Sequence, residues 1–317
     1  MQTVIFMGTP QFSVPILQAL NEHYQVVGVV TQPDRPVGRK HRLTASPVKQ
    51  TAEELGLPVL QPEKLSGSPE LQQVIDLKPD FIVTAAYGQF LPTKLLNAAQ
   101  IAAVNVHGSL LPKYRGGAPV QYAIMNGDQT TGITIMYMVK EMDAGDILAQ
   151  ASVPITDHDD TASMFQKLSL VGRDLLLETL PKLTKHEITP QKQNEAEVVF
   201  SPTIKRGEEQ LDFTKTARAL DCKVRALRPD PGAYALVQGQ RYKFWDVQPV
   251  EQTTEFAPGR VVERTKQTLL LAAGDHTVLQ VNQLQPAGKP KTEIQAFLNG
   301  NQQLQTGDQF IDEYKQE

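Results

Sequence analysis

An amide and an imidazole lie two residues apart in the apolar stretch AAVNVHG. Because side chains alternate between the two faces of a strand, Asn105 and His107 are expected to point to the same side. An amide N–H can stabilise a developing oxyanion, and an imidazole can exchange a proton near neutral pH. The pair is therefore a candidate catalytic site, although two polar residues satisfied within a loop give the same pattern.

The loop that follows this pair combines stiff, flexible and basic residues. Pro112 restricts the backbone, whereas Gly116 and Gly117 let a ligand or another backbone segment come close. Lys113 and Arg115 suit an anionic or phosphate-bearing ligand. These features favour a binding site beside the Asn/His pair over an ordinary loop.

A third candidate group lies in the later stretch EMDAGDIL, which carries Asp143 and Asp146 around a glycine. A carboxylate near His107 could orient the imidazole and balance its positive charge. The spacing does not choose between the two aspartates. Turn formation alone also explains either one, since Asp and Gly both favour turns.

The surrounding sequence predicts an α/β fold, because apolar strands alternate with amphipathic helices over the first half of the chain. We expect a doubly wound, Rossmann-like parallel sheet, in which ligands bind at the carboxyl ends of the strands. The strand of Asn105 and His107 ends in this way. Two helices begin with Ser-Pro, at Ser46 and Ser68. The stretch ITIMYMV alternates like an exposed strand.

A polar segment without periodicity divides the chain. We predict a catalytic domain over residues 1–183, a linker over 184–203 and a C-terminal domain over 204–317. Beyond the linker, short apolar runs recur between turns, which is typical of a small β-barrel and here predicts an OB-like one. This C-terminal part carries as many acidic as basic residues, so its charge does not indicate a binding face.

The composition of the 317 residues excludes several classes of site. With a net charge of −4, a nucleic-acid partner requires a local basic surface. The single cysteine, Cys222, excludes an intrachain disulfide and a thiolate zinc site, and we expect no metal ion. Gly8 lacks the further glycines of a dinucleotide-binding motif. The N-terminus reads as a first strand rather than a signal peptide, and no window is long and apolar enough for a membrane span, so we expect a cytoplasmic protein.

The stretch NVHGSLLPKYRGGAP followed by MDAGDIL resembles the folate-dependent formyltransferases, whose signature is Asn-x-His-x-Ser-Leu-Leu-Pro and then Asp-x-Gly. The stretches VIFMGTPQFSVP, PDRPVGRKHRLTASPVK and VRALRPDPGAY are similar to the branch of that family that formylates methionyl-tRNA. The resemblance covers nearly the whole chain and is weakest in the linker and toward the C-terminus. The family often has Asp-Trp where this chain has Asp212-Phe213, which we interpret as a packing change.

The resemblance implies that Asn105, His107 and Asp143 are the catalytic residues, with Asn105 and a protonated His107 donating to the oxyanion. It implies 10-formyltetrahydrofolate as the formyl donor and initiator methionyl-tRNA as the acceptor. We expect the enzyme to be a monomer. The resemblance further implies that folate binds two segments, one after His107 and one that lines the pterin pocket: Ser109, Leu110, Leu111 and Pro112, and Gly88, Gln89, Phe90 and Leu91.

Residues 34–49 are rich in basic side chains and contain a single acidic residue. A solvated loop explains that composition. Because the segment lies beside the strand ends where the chemistry is expected, it is also a candidate phosphate-contacting loop for the acceptor end of a tRNA. The candidate tRNA-binding residues are Arg35, Arg39, Lys40 and Arg42.

Two other functions stay open at this point. A sister enzyme that formylates a small amine such as a UDP-amino sugar, or that hydrolyses the folate, shares the signature but does not need the basic loop. A non-catalytic RNA-binding protein on the same scaffold does not need Asn105, His107 and Asp143 together. Mass spectrometry separates these functions by testing for a formylated product on methionyl-tRNA, on free methionine and on amino sugars.

Overall fold

The chain folds into two units in the computed structural model, which describes residues 1–38 and 41–315. Two short stretches that precede the C-terminal region in the chain belong to the same unit as that region. Each unit therefore combines separate parts of the chain. The first unit comprises Met1–Pro119, Thr130–Pro154 and Phe165–Ser201, and the second comprises Val120–Gln129, Ile155–Met164 and the residues from Pro202 onward.

The first unit alternates strands and helices, as its sequence predicts. Its strands are β1 (Thr3–Gly8), β2 (Gln25–Val30), β3 (Arg35–Val37), β4 (Arg42–Thr44), β5 (Val59–Leu60), β6 (Phe81–Ala85), β7 (Ala102–His107), β8 (Lys113–Arg115), β9 (Thr130–Tyr137), β10 (Ile147–Pro154) and β11 (Val199–Phe200). The helices within residues 1–201 are α1 (Val14–His23), α2 (Pro47–Glu54), α3 (Pro69–Asp76), α4 (Thr93–Leu96), α5 (Pro119–Met125) and α6 (Thr161–Thr184). Residues 120–125 of α5 and 161–164 of α6 belong to the second unit. None of the helices among the described residues is long and apolar enough to span a bilayer.

Within the described residues, seven of these strands form one sheet in the order β10-β9-β7-β6-β1-β2-β5. The strands from β7 to β5 run parallel, while β9 pairs antiparallel with β7, and β10 with β9. The predicted α/β fold class is confirmed, with two antiparallel strands added at one edge. β7 lies inside the sheet, between parallel β6 and antiparallel β9.

The Ser-Pro starts of two helices are confirmed. Ser46 Oγ accepts a hydrogen bond from Lys49 N, and Ser68 Oγ accepts one from Leu71 N, both at 3.1 Å. The proline that follows each serine occupies the first helical position, where a missing N–H leaves no bond unmade. These caps fix where α2 and α3 begin.

The stretch ITIMYMV is a buried strand, so the prediction of an exposed strand is wrong. β9 lies between β7 and β10, and its central residues Ile133, Thr134, Ile135 and Met136 are all buried. The alternation arises because Thr134 places a hydroxyl in the interior. That hydroxyl is hydrogen-bonded, which removes the penalty for burying it.

The segment predicted as a linker, 184–203, has local structure of its own. β11 pairs parallel with β8, and Gln191 forms an isolated bridge with Ile147 of β10. Gln193 and Ser201 are buried, and the residues up to Ser201 belong to the first unit. Polar hydrogen bonds rather than apolar packing hold this segment, which is why it shows no hydrophobic periodicity.

The second unit is an antiparallel β domain, which confirms the predicted small C-terminal β domain. In the described part of this region, the strands pair in the order β12-β13-β16-β15-β14, with β17 on β16. Leu220 and Val224 pack with Phe244, Leu279 and Val281 in its apolar core. Its elements are α7 (Ala217–Ala226), β12 (Tyr234–Val237), β13 (Gln240–Thr253), β14 (Val261–Arg264), β15 (Leu269–Ala272), β16 (Thr277–Pro286), β17 (Thr292–Glu293) and α8 (Ile294–Gly300).

We expect Ser68→Ala to lower the free energy of unfolding by about 1 kcal/mol, because Leu71 N loses the acceptor that caps α3. Ser66 is exposed just before the same helix. Ser66→Ala is therefore the matched control and should change that free energy by less than about 0.5 kcal/mol. Urea unfolding curves measure both, and equal effects contradict the capping role.

Candidate active site

β7 presents Asn105 and His107 between its two neighbouring strands. Asn105 is paired with Thr84 of β6 and with Met136 of β9, and His107 is paired with Thr134. The His107 side chain is only 6 % exposed, whereas Asn105 is partly exposed. The predicted pair thus lies at the carboxyl end of an interior strand, where α/β sheets bind ligands.

The His107 ring is held through Nε2, which lies 2.9 Å from the carbonyl oxygen of Tyr114. A carbonyl oxygen only accepts hydrogen bonds, so Nε2 must carry a proton. Nδ1 is then the nitrogen at which a proton can be gained or lost. It lies 3.7 Å from Asp143 Oδ2, which is longer than a direct hydrogen bond. A substrate atom can therefore still bond to Nδ1 beside the carboxylate.

The Asn105 amide is oriented by Thr84, a buried residue of the neighbouring strand β6. Thr84 Oγ1 lies 2.8 Å from Asn105 Oδ1, and the competing acceptors Val104 O and Met138 Sδ are farther away, at 3.3 and 3.2 Å. Donation to Oδ1 leaves the amide N–H groups free of protein partners among the described residues. An oxyanion site needs donors in this state.

Asp143 is set beside the imidazole by a tight turn. Its Oδ2 accepts a hydrogen bond from Gly116 N at 2.9 Å, and its φ of 52° lies in the left-handed region. Gly145 lies so close to β9 that a Cβ atom there would be 1.8 Å from Tyr137 O. Asp146 contributes its backbone carbonyl, which accepts from Tyr137 N at 3.0 Å. The carboxylate that faces His107 is therefore that of Asp143.

The first predicted folate segment is braced by two polar side chains. Thr134 Oγ1 donates to Ser109 O at 2.7 Å and accepts from Leu111 N at 3.1 Å. Gln150 Nε2 donates to Leu111 O and to Thr134 Oγ1, both at 2.9 Å. Ser109 and Leu111 are buried. The partly exposed members of the segment, which can contact a ligand, are Leu110 and Pro112.

The second predicted folate segment leaves the sheet at the same edge, because it follows β6, the parallel neighbour of β7. Gln89 Oε1 accepts from Leu65 N at 2.8 Å, and Leu91 is buried in the apolar core. Gly88 is exposed with a φ of 88°, and Phe90 is 65 % exposed. Gln89 and Leu91 therefore anchor the segment, while Gly88 and Phe90 face outward.

Arg115 is not the free cation that its place in the loop suggests, so that prediction is wrong. Its side chain is 5 % exposed, and both Nη atoms bond the carboxylate of Glu195. Its Nε donates to Gln193 Oε1 at 2.9 Å. A buried guanidinium that is already paired with a carboxylate is not available to an anionic ligand. Hydrogen bonding to Arg115 lowers the pKa of the Glu195 carboxyl.

The basic segment forms an exposed β-hairpin rather than an irregular loop. β3 and β4 pair antiparallel, and every residue of both strands is exposed. Arg35 forms an ion pair with Glu63 at 2.9 Å, and Arg42 is exposed on β4. Two of the predicted tRNA contacts, Arg39 and Lys40, lie outside the described residues. The hairpin thus places both Arg42 and Arg35 on the surface, with Arg35 paired to Glu63.

The single acidic residue of this segment is neutralised at the base of the hairpin. Lys49 Nζ lies 2.8 Å from Asp34 Oδ2, and Gln61 Nε2 donates to Asp34 Oδ1 at 2.8 Å. Hydrogen bonds from Gln61 and Lys49 lower the pKa of the Asp34 carboxyl. The exposed arginines therefore set the charge of the hairpin.

Comparison with known proteins gives family matches over both parts of the chain. The family model for formyl transferase matches residues 1–180, and that for the formyl transferase C-terminal domain matches residues 203–302. A methionyl-tRNA formyltransferase of Lactiplantibacillus plantarum is 64 % identical over 315 residues, which cover 98 % of this chain and 99 % of the relative. The chain belongs to the methionyl-tRNA formyltransferase family. The family predicted from the sequence is confirmed, and so is its class as an enzyme.

Other members of the methionyl-tRNA formyltransferase family match almost as completely. The Enterococcus faecalis protein is 58 % identical, with 95 % of this chain and 96 % of the relative covered.

Among solved structures, HypX from Aquifex aeolicus in complex with tetrahydrofolic acid aligns with a TM-score of 0.63 at 18 % identity, over 99 % of this chain and 51 % of that one. The N-formyltransferase from Helicobacter canadensis with folinic acid and dTDP-3-aminofucose aligns with a TM-score of 0.68 at 16 % identity, over 89 % and 99 %. These structures share the fold.

We expect Thr134→Val to lower the free energy of unfolding by about 2–3 kcal/mol, because it leaves several buried groups in and around the predicted folate segment without their hydrogen bonds. Thr130 is exposed on the same strand. Thr130→Val is the matched control and should stay within about 0.5 kcal/mol of the parent. Denaturant unfolding measures both, and a stable Thr134→Val variant refutes the bracing role.

Proposed function

We propose that this enzyme transfers a formyl group from 10-formyltetrahydrofolate to the α-amino group of initiator methionyl-tRNA, giving N-formylmethionyl-tRNA. The observation that carries the proposal is the meeting of an amide donor, an imidazole and a carboxylate at the end of β7, from Asn105, His107 and Asp143. The full-length similarity to methionyl-tRNA formyltransferases supports the acceptor. The folates in the names of two structures with this fold support the donor.

Asn105 is the oxyanion donor in this proposal. When the methionyl amine adds to the formyl carbon, negative charge develops on the formyl oxygen. Thr84 bonds the Asn105 carbonyl oxygen, which leaves the amide N–H groups available to donate to that charge. One such donor contributes roughly 3 kcal/mol to the stability of the transition state.

His107 moves the protons through Nδ1. Attack leaves one proton too many on the amine, and N10 of the folate must gain one when its bond to the formyl carbon breaks. Because Nε2 keeps its proton for Tyr114, Nδ1 is the atom that takes up and returns a proton. Asp143 faces the same atom and stabilises the ring while it is charged. Once Nδ1 has taken up the amine proton, its N–H can also donate to the formyl oxygen beside Asn105, before that proton passes to N10.

The two segments that follow β6 and β7 bind the folate. Thr134 and Gln150 hold the segment Ser109–Pro112 in place, so that Leu110 and Pro112 offer fixed apolar contacts. Phe90 offers an exposed aromatic surface for the pterin, and Gly88 lets the ligand approach the backbone. Gln89 and Leu91 act by anchoring this second segment.

The tRNA binds through the basic hairpin and the C-terminal domain. Arg35, Arg39, Lys40 and Arg42 are the proposed contacts to the acceptor end. We propose residues 1–183 as the catalytic domain, 184–203 as the linker and 204–317 as the tRNA-binding domain. The enzyme acts as a monomer in the cytoplasm, where aminoacylated tRNA is found.

The direct test of this function is a mass-spectrometric assay with 10-formyltetrahydrofolate and one amine at a time. We expect a formyl group on initiator methionyl-tRNA, and none on free methionine or on nucleotide-linked amino sugars. Formylation of an amino sugar in preference to methionyl-tRNA identifies a sister enzyme and refutes the proposal.

We expect Asn105→Ala to lower kcat by roughly 10²–10³-fold, on the scale of one lost oxyanion donor. His107→Ala should lower kcat by a similar factor, because it removes the proton carrier. The dissociation constants for folate and tRNA should change little. Steady-state kinetics and equilibrium binding measure these effects, and a variant that keeps half the wild-type rate removes that residue from the mechanism.

Asp143→Asn and Asp146→Asn make the same chemical change three residues apart. We expect Asp143→Asn to lower kcat by at least about 10²-fold, because the charged ring loses its carboxylate. Asp146→Asn keeps the backbone carbonyl that bonds Tyr137 and should stay within about threefold. If both folded variants lose the same activity, the assignment of Asp143 fails.

We expect Arg42→Gln to raise the KM for methionyl-tRNA several-fold and to leave the KM for folate unchanged. The slope of log affinity against log salt should become shallower by about one, because one phosphate contact is lost. Lys78→Gln removes an exposed charge elsewhere in the first unit and is the control. Identical salt slopes for wild type and Arg42→Gln would mean that the hairpin does not bind phosphate.

A further inference from the structure

We propose that Gln193 is a positioning residue for catalysis, which sets the Asp143 carboxylate against His107 by holding the backbone of the turn that carries it. The inference rests on the proposed function, since it assigns a supporting role in the same active site. Gln193 lies in the segment 184–203, where the sequence shows neither periodicity nor motif.

The Gln193 side chain uses all its polar atoms within the first unit. Its Nε2 lies 2.8 Å from Asp143 O and 2.8 Å from Gly145 O, and its Oε1 accepts from Arg115 Nε at 2.9 Å. The residue is 9 % exposed. Its amide thus spans the two ends of the turn that begins with the catalytic carboxylate.

The orientation of this amide follows from its partners. The guanidinium of Arg115 can only donate, and the two carbonyl oxygens can only accept. A reversed Gln193 amide would place two donors together at Arg115 and acceptors together at the turn. The hydrogen bonds to Asp143 and Gly145 are therefore made by the N–H groups.

The turn that carries Asp143 is fixed on two sides, by the Gln193 side chain and by β9. A Cβ atom on Gly145 would lie 1.8 Å from Tyr137 O, so the turn is packed directly against β9. Asp143 has a left-handed φ of 52°, a backbone conformation that costs conformational free energy for any residue other than glycine. β9 and Gln193 thus contact the turn from two sides and fix its backbone. The Asp143 carboxylate extends from this turn toward His107.

Arg115 in addition fixes the position of Gln193. Glu195, two residues further on, binds both Nη atoms of Arg115, and Ser201 N donates to Arg115 O at 2.8 Å. The segment is thereby held along β8, the strand whose Tyr114 carbonyl bonds the His107 ring. The segment therefore contacts both the strand that carries the Tyr114 carbonyl and the turn that carries the Asp143 carboxylate. These two groups face the His107 ring.

The test compares substitutions of nearly the same shape. Gln193→Glu keeps an oxygen for Arg115 but replaces the two N–H donors with an oxygen that faces two carbonyls. If Gln193 served only to satisfy Arg115, glutamate would do so at least as well. Gln191→Glu adds the same charge on an exposed side chain two residues earlier and is the matched control. Gln193→Met removes both donors without adding charge, and is measured in the same way in case the glutamate variant does not fold.

We expect kcat to fall about 10–100-fold in Gln193→Glu and Gln193→Met, since a misplacement near 1 Å can cost about 10²-fold. The KM values for folate and methionyl-tRNA should stay within about twofold, and Gln191→Glu should match the wild type. In the Asp143→Asn background, the Gln193 substitutions should lower kcat by less than about threefold, because they act through that carboxylate. Near-wild-type kcat in the Gln193 variants, or equal losses in both backgrounds, overturns the inference.

A second readout separates this inference from the proposed function. The ¹⁵N and ¹H signals of the His107 ring report on the group that faces Nδ1. We expect them to shift in Gln193→Glu and to stay in place in Gln191→Glu, whatever acceptor the enzyme formylates. A wild-type enzyme inactive on methionyl-tRNA refutes the function alone, whereas unchanged His107 signals in Gln193→Glu refute the role of Gln193.

Discussion

The hydrogen bond from His107 Nε2 to the Tyr114 carbonyl decides how the active site works. Since the carbonyl only accepts, the bond assigns a fixed proton to Nε2 and turns Nδ1 toward Asp143, 3.7 Å away. Tyr114 lies on β8 with a left-handed φ of 65°, and the loop between β7 and β8 returns the chain so that the Tyr114 carbonyl reaches the ring. The Thr134 hydroxyl, bonded to two backbone groups of that loop, holds it in this path. One backbone acceptor therefore links the conformation of the loop to the direction of the proposed proton transfer.

The sheet provides the rigidity that this geometry needs. β7 is hydrogen-bonded on both sides, with Asn105 between residues of β6 and β9. A shift of one residue in this pairing would turn both Asn105 and His107 to the opposite face. Thr84 and Thr134, from the two neighbouring strands, place hydroxyls at the two points where the site needs fixed hydrogen bonds. The proposed chemistry thus depends on side chains of β7 and on polar side chains from both strands beside it.

Patterns that act over a few residues could be predicted from the sequence. The helix starts at Ser46 and Ser68 depend on a serine and a proline in succession, and the Asn/His pair depends on strand alternation. These local rules give the α/β class and place the candidate site at a strand end. The sequence predicts β9 as a strand but not its burial, because that burial depends on hydrogen bonds that satisfy Thr134. The antiparallel direction of β9 and β10 was not predicted either.

Groups whose roles depend on distant partners could not be predicted. Arg115 reads as a free cation because its partners Gln193 and Glu195 lie 78 and 80 residues later in the chain. The choice of Asp143 over Asp146 depends on how the turn packs against β9, which spacing does not encode. The family resemblance supplied Asp143, whereas Gln193 had no signal in the single sequence.

The tautomer of His107 tests the central claim most directly. Long-range ¹H–¹⁵N correlation spectra of the ¹⁵N-histidine-labelled enzyme distinguish the two nitrogens of a neutral ring, and the His107→Gln variant identifies the signals. We predict that the neutral ring carries its proton on Nε2 and that Nδ1 carries none. A neutral ring protonated on Nδ1 would contradict it, because Tyr114 would then not hold the ring and Nδ1 could not accept the proton of the attacking amine.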